Sequence, residues 1–286
     1  MSGDFLAQMR AASELRLYKA LAERPFGELE ARAREMPSAP ALSLSHHGFD
    51  VIAEIKRRSP AIGALADDDA PADVHRQIAE RAVRYARGGA CAISVLTEPT
   101  RFDGDLAHLS VASAAVESLG VPVMRKDFLV DPYQIFEARA AGAGGVLLIT
   151  RMLDDNQMGE MLDAAHSVGL FALVEAFDKH DLERSHALVA GRPAPQLVGI
   201  NTRDLTTLQI DTTRLATHAE DFTGDVVAVA ESGVTDVRQA ATVVAMGYRV
   251  ALIGTALMQA DDPGALLRAM LTRGRGVGVH SVPGHA

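Results

Sequence analysis

Five polar residues stand at the ends of short apolar runs, in a set that could move protons. Lys56 closes FDVIAEIK, Lys126 closes VPVMRK, Glu175 lies in LFALVEA, Asn201 ends QLVGIN, and Glu231 follows the apolar part of VVAVAES. Lysine is scarce in this chain: Lys19, Lys56, Lys126 and Lys179 are the only four among 28 basic residues. Ammonium and carboxylate groups held side by side can donate and accept protons in turn. Alternate residues of a strand share a face, so Ile52, Glu54 and Lys56 point one way. The same parity joins Met124 to Lys126, Leu173 to Glu175, Gly199 to Asn201 and Val229 to Glu231. A single strand would end on a polar residue merely on reaching water, whereas five at matched parity point to one shared opening. Structural ion pairs across that opening are the plainer alternative, because buried Lys and Glu are tolerated mainly when paired.

Bringing such ends together requires a repeated architecture. Eight apolar runs recur, at 49–56, 91–96, 121–126, 145–150, 170–176, 196–201, 226–232 and 249–255. Segments of helical periodicity lie between them, such as 73–89, 131–145 and 236–247, many opening near Asp, Ser or Thr and closing on Gly. Eight β/α units in one chain predict an α/β fold of the (β/α)8 TIM-barrel type, which takes about 250 residues, rather than an open doubly wound sheet. Residues 5–36 pattern as one or two further helices. A single barrel domain over 1–272 with an N-terminal helical extension is therefore expected, and the Gly/Pro-rich stretch 273–286 reads as a disordered tail.

The last two strands carry different chemistry. Ser232-Gly233 and Gly254-Thr255 supply small residues just after strands 7 and 8, a frequent phosphate site in barrels. Ser59, after the first strand, could reach the same anion or simply cap the turn before Pro60. The net charge of -9 argues against nucleic acid or an anionic membrane as partner. No apolar stretch approaches the roughly 18 residues of a membrane span, and the N-terminus lacks a signal-like apolar segment. Cys91 is the single cysteine and cannot form an internal disulfide, which fits a cytoplasmic location. The ten histidines show no metal-ligand spacing and no Gly-rich nucleotide loop is present, so neither metal nor organic cofactor is expected.

The segments VIAEIKRRSP, ISVLTEPTRFDGDL, VPVMRKDFLVDPYQI, ALVEA, VGINTRDL, VAESGV and LIGTALM, in this order, closely resemble the indole-3-glycerol phosphate synthase family of tryptophan biosynthesis. The resemblance spans roughly residues 5 to 271. It implies a lyase that closes the ring of 1-(2-carboxyphenylamino)-1-deoxyribulose 5-phosphate, releasing carbon dioxide and water without metal or cofactor. It makes Lys126 the general acid for the substrate carbonyl, Glu175 the proton-transfer group of the dehydration, and Lys56 the second catalytic lysine. Glu54, Asn201 and Glu231 would orient these groups and the substrate hydroxyls. Arg203 would lie near the anthranilate carboxylate and Phe128 beside the aromatic ring, while Ser59, Ser232, Gly233, Gly254 and Thr255 would hold the phosphate. The implied partner is a phosphorylated small molecule, with the protein a monomer or weak homodimer.

Two features depart from the family pattern. SPAIG at 59–63 replaces a segment that commonly reads SPS, then Lys or Ala, then Gly, which implies weaker loop contacts and modest turnover; Thr202 stands where Asn is frequent. Lys56 and Lys126 at one mouth are expected to lower each other's pKa, which would make Lys126 a usable acid near neutral pH. The residue types alone also leave open a phosphoribosyl-type isomerase, a Schiff-base aldolase and a non-catalytic sugar-phosphate binder.

Overall fold

The computed structural model describes residues 5–277 apart from 47, 60–62, 66–70, 194 and 205–208. Each of the eight apolar runs forms a strand: β1 (Asp50–Ile55), β2 (Ala92–Leu96), β3 (Val123–Lys126), β4 (Gly145–Ile149), β5 (Phe171–Ala176), β6 (Leu197–Asn201), β7 (Val227–Glu231) and β8 (Val250–Ile253). All pair in parallel in sequence order, and β8 closes the ring by pairing Val250 with Asp50 of β1. Strands buried on both faces read as continuous apolar runs, which is why the pattern was so legible. Every residue of seven strands is buried, and in β3 only Lys126 is partly open.

Several of the helices start sharply because acidic side chains cap them. Asp131 accepts from the Tyr133 N–H at 2.8 Å, with Pro132 in the first turn of helix Pro132–Ala140. Asp236 accepts from the Arg238 and Gln239 N–H groups at 2.7 and 2.9 Å to open helix Val237–Ala245. These caps fix the loops at the C-terminal ends of the strands. Among the described residues, no helix is long and apolar enough to cross a membrane.

The N-terminal extension is two helices, α1 (Phe5–Glu23) and α2 (Phe26–Glu35). The Tyr133 hydroxyl donates to the carbonyls of Ala20 and Arg24 at 2.9 and 3.1 Å, and the Gln134 amide donates to the Ser13 hydroxyl at 2.9 Å. These bonds pin α1 against the barrel. Helix α2 follows, with Phe26 edge-on to Phe136 at 5.2 Å.

The last helix, Pro263–Arg275, runs past the expected boundary at Arg273. The glycines that looked like tail have a packing reason: a Cβ on Gly274 would fall on the Phe49 ring. Arg275 then pairs with Asp50 at 2.7 Å and donates to the Phe49 carbonyl at 2.9 Å, which ties the helix end to the start of β1. The remainder of the expected tail, 278–286, lies outside the described residues.

Inside the barrel, large and small residues alternate across neighbouring strands. Gly145 of β4 pairs in register with Phe171 of β5, and a Cβ there would enter the Phe171 ring. Gly145→Ala is therefore expected to overpack the barrel and cost about 1–3 kcal/mol. Urea unfolding monitored by circular dichroism checks this, and unchanged stability would mean that the ring has room to move.

Candidate active site

The C-terminal ends of the strands surround a cavity of about 220 Å³. Leu96, Leu147, Ile149 and Leu252 from β2, β4 and β8 give it apolar lining. Among them stand Glu54 and Lys56 (β1 and its end), Lys126 (β3), Glu175 (β5), Asn201 (β6) and Glu231 (β7). Strand parity places them as expected. Ser59, Phe128, Arg203, Ser232, Gly233, Gly254 and Thr255 line the same cavity, so every residue singled out in the sequence meets at this one mouth.

The charges are interleaved. Lys126 Nζ donates to Glu175 Oε2 at 3.0 Å and lies 3.7 Å from Glu231 Oε2, while Lys56 Nζ donates to Glu54 Oε1 at 2.6 Å. Burial acts to lower the pKa of the Lys126 ammonium, but Glu175, Glu231 and Glu54 outweigh it and hold it above lysine's ordinary value. This corrects the expected lowering at Lys126: the charged groups nearest it are carboxylates. For Glu54 burial acts upward, yet Lys56, Lys126 and Arg203 together hold the carboxyl below its usual range. Burial and the neighbouring Glu175 push Glu231 well above that range, against the pull of Lys126.

Two glycines make this crowding possible. A Cβ on Gly199 would fall on Glu231 Oε1, and one on Gly254 would fall on Glu54 Oε1 and lie 2.9 Å from Lys56 Nζ. Gly254 is thus small for the sake of an ion pair as well as of any anion approaching its turn. Ser59, Ser232-Gly233 and Gly254-Thr255 come from the loops after β1, β7 and β8, three consecutive strands of the ring. Ser232 and Gly233 are both left-handed, with φ of 66° and 79°, a conformation rare for serine and typical of strained functional turns.

Several contributors were not anticipated. Phe5 of α1 lies edge-on to Phe128 at 5.9 Å and Phe102 lies tilted against it at 6.1 Å, forming an aromatic wall beside the cavity. Asp127 accepts from Arg16 at 2.6 Å, Thr97 at 2.7 Å, the Phe128 N–H at 2.8 Å and Arg125 at 3.2 Å. It therefore locks α1 to the end of β3 and orients Phe128. A signal for Asp127 was present: in RKD, parity turns Arg125 and Asp127 away from Lys126. No local pattern marks Phe5 or Arg16, which reach the site only through the docking of α1. Arg58, just after β1, stays exposed to solvent and pairs there with Asp103 at 2.6 Å. Pro60, Ala61 and Ile62 of the departing SPAIG segment lie outside the described residues.

A parallel barrel whose mouth converges lysines and carboxylates among apolar side chains defines an enzyme of acid–base chemistry. The family model for indole-3-glycerol phosphate synthase matches residues 6–270, and the chain belongs to that family. The indole-3-glycerol phosphate synthase of Micrococcus luteus is 42% identical over 261 residues, covering 85% of this chain and 92% of that protein. That of Leifsonia xyli subsp. xyli is 40% identical, covering 93% of this chain and 98% of its own length. Among solved structures, 3-hexulose-6-phosphate synthase from Salmonella typhimurium shares the fold at a TM-score of 0.57 with 14% identity, over 80% of this chain and all of that one.

Gly254→Ala gives a direct check of the glycine argument. Displacing the Glu54–Lys56 pair is expected to lower kcat roughly tenfold or more, since catalytic groups tolerate little displacement. An effect on KM alone would instead assign Gly254 to anion approach only.

Proposed function

We propose that the chain closes the indole ring of 1-(2-carboxyphenylamino)-1-deoxyribulose 5-phosphate to give indole-3-glycerol phosphate, as a cytoplasmic monomer or weak homodimer and without metal or organic cofactor. The observation that carries this reading is the meeting of Lys126, Glu175, Lys56 and Glu54 in one cavity with the small-residue turns after β7, β8 and β1. The substrate phosphate would lie on Ser59, Ser232, Gly233, Gly254 and Thr255. Its aromatic ring would stack within Phe128, Phe5 and Phe102, with its carboxylate toward Arg203.

In the first step the aryl carbon bearing the carboxylate attacks the ketone carbon, and the ketone oxygen gains negative charge. Lys126, kept firmly as an ammonium, donates a hydrogen bond to that oxygen and then its proton. An alkoxide is more basic than a lysine amine, so the raised pKa of Lys126 does not forbid the transfer, and the ammonium also stabilises the developing charge. Carbon dioxide then leaves, and its bonding electrons restore the aromatic ring. Finally the former ketone oxygen departs as water while the adjacent methylene carbon loses a proton. In this reading Glu175 takes that proton and Lys56, hydrogen-bonded to Glu54, protonates the departing hydroxyl. Asn201 accepts from the Arg203 backbone N–H at 2.9 Å, which fixes its amide, and the amide NH2 would meet the substrate hydroxyls.

The chain contains no tryptophan, so the indole product can be followed by its own fluorescence over a low background. Purified protein pretreated with a chelator is expected to convert the substrate, and Lys126→Arg to lower kcat about 10²-fold, the usual scale for a lost general acid. Absence of product, or product only after metal is restored, would contradict the proposal.

A further inference from the structure

Glu231 is the least satisfied charged group of the mouth. Its side chain is 1% exposed, both carboxyl oxygens are closed to solvent, and neither receives a hydrogen bond from any described residue. Gly199 leaves just the space that Oε1 fills, so the carboxyl is held where it lies. An ionised carboxylate sealed in this way lacks the donors that normally compensate it.

The nearby charges do not answer it. Lys126 is the ammonium in reach, but it donates to Glu175 at 3.0 Å and stands 3.7 Å from Glu231. Lys56 is committed to Glu54 at 2.6 Å, and Arg203 acts on that same Glu54. Around Glu231, therefore, one ammonium faces two carboxylates. Two acceptors side by side repel, and one proton turns them into a donor and an acceptor.

We infer that Glu231 holds a proton in the resting protein and donates a hydrogen bond to Glu175, which leaves Glu175 as the ionised partner of Lys126. Burial and the proximity of Glu175 favour the neutral form of Glu231, in agreement with this assignment. Glu231 is then a positioning residue. It takes up one of the two acceptor oxygens of Glu175 and aims the other at Lys126. The kinetic consequence rests on the ring-closure reading, whereas the protonation itself does not.

Infrared difference spectroscopy of the full chain separates the two. At neutral pH the wild type is expected to show the carbonyl stretch of a buried protonated carboxyl, and Glu231→Gln to lack it at unchanged melting temperature. An amide can donate the same hydrogen bond and an isosteric leucine cannot. Glu231→Gln should therefore retain roughly tenfold or more of the kcat that Glu231→Leu loses, the scale of one hydrogen bond to a charged group. A protonated-carboxyl band that persists in Glu231→Gln, or no such band in the wild type, would overturn the inference. So would a Gln variant that fails to fold or is as inactive as the Leu variant. If the wild type closed no ring, the proposed function would fail while the infrared result still decided the protonation.

Discussion

An ammonium inside a protein is tolerated where a carboxylate answers it, and the barrel mouth is built around one such meeting, Lys126 bonded to Glu175 with Glu231 beside them. Each of the three sits on a different strand, β3, β5 and β7, so the contact exists only when the ring is closed and in register. Strand parity turns the side chains inward, and Gly199 clears the space that Glu231 occupies, as Gly254 does for the neighbouring Glu54–Lys56 pair. Asp127, one residue on, faces the other way and ties the end of β3 to Arg16 of the N-terminal helix. Lys126 thereby faces the cavity from a strand end fixed on its opposite side.

The positions of the site residues were legible because a parallel barrel writes a simple rule into sequence. Buried strands are continuous apolar runs, and a polar residue at inward parity at the C-terminal end can lie only at the mouth. Lys56, Lys126, Glu175, Asn201 and Glu231 all obeyed it. What escaped depended on distant parts of the chain. Phe5 reaches Phe128 through the docking of α1 on Tyr133, Gln134 and Asp127, and the boundary at Arg273 was misplaced because Gly274 packs on the Phe49 ring, far away in sequence. The direction of the Lys126 shift escaped for a similar reason: parity showed that two lysines share the mouth but not which charges stand nearest to each.

Buried ion pairs seldom earn their place by stability alone, since the cost of desolvation rivals the attraction between the charges. A mouth holding Glu54, Glu175, Glu231, Lys56 and Lys126 is thus a concession to chemistry, built on a core that carries the stability elsewhere, in the apolar strands and the helices around them. The Asp127 cluster is the counterexample within the same stretch of chain. There Arg125 pairs with Glu137 at 2.7 Å as well as with Asp127, and its many partners serve to hold elements together.

That division between chemical and structural charges is tested most directly by Glu175→Gln, which removes one carboxylate without changing its shape. Lys126 then keeps Glu231 as its counter-charge, which can release its proton to serve, so the ionic balance of the mouth is restored. The expected result is a melting temperature equal to or above that of the wild type together with a kcat lowered about 10²-fold or more, the scale of a lost proton-transfer group. A variant that kept near-normal kcat, or that lost activity only in step with its melting temperature, would show that Glu175 is there for the fold and would contradict the account.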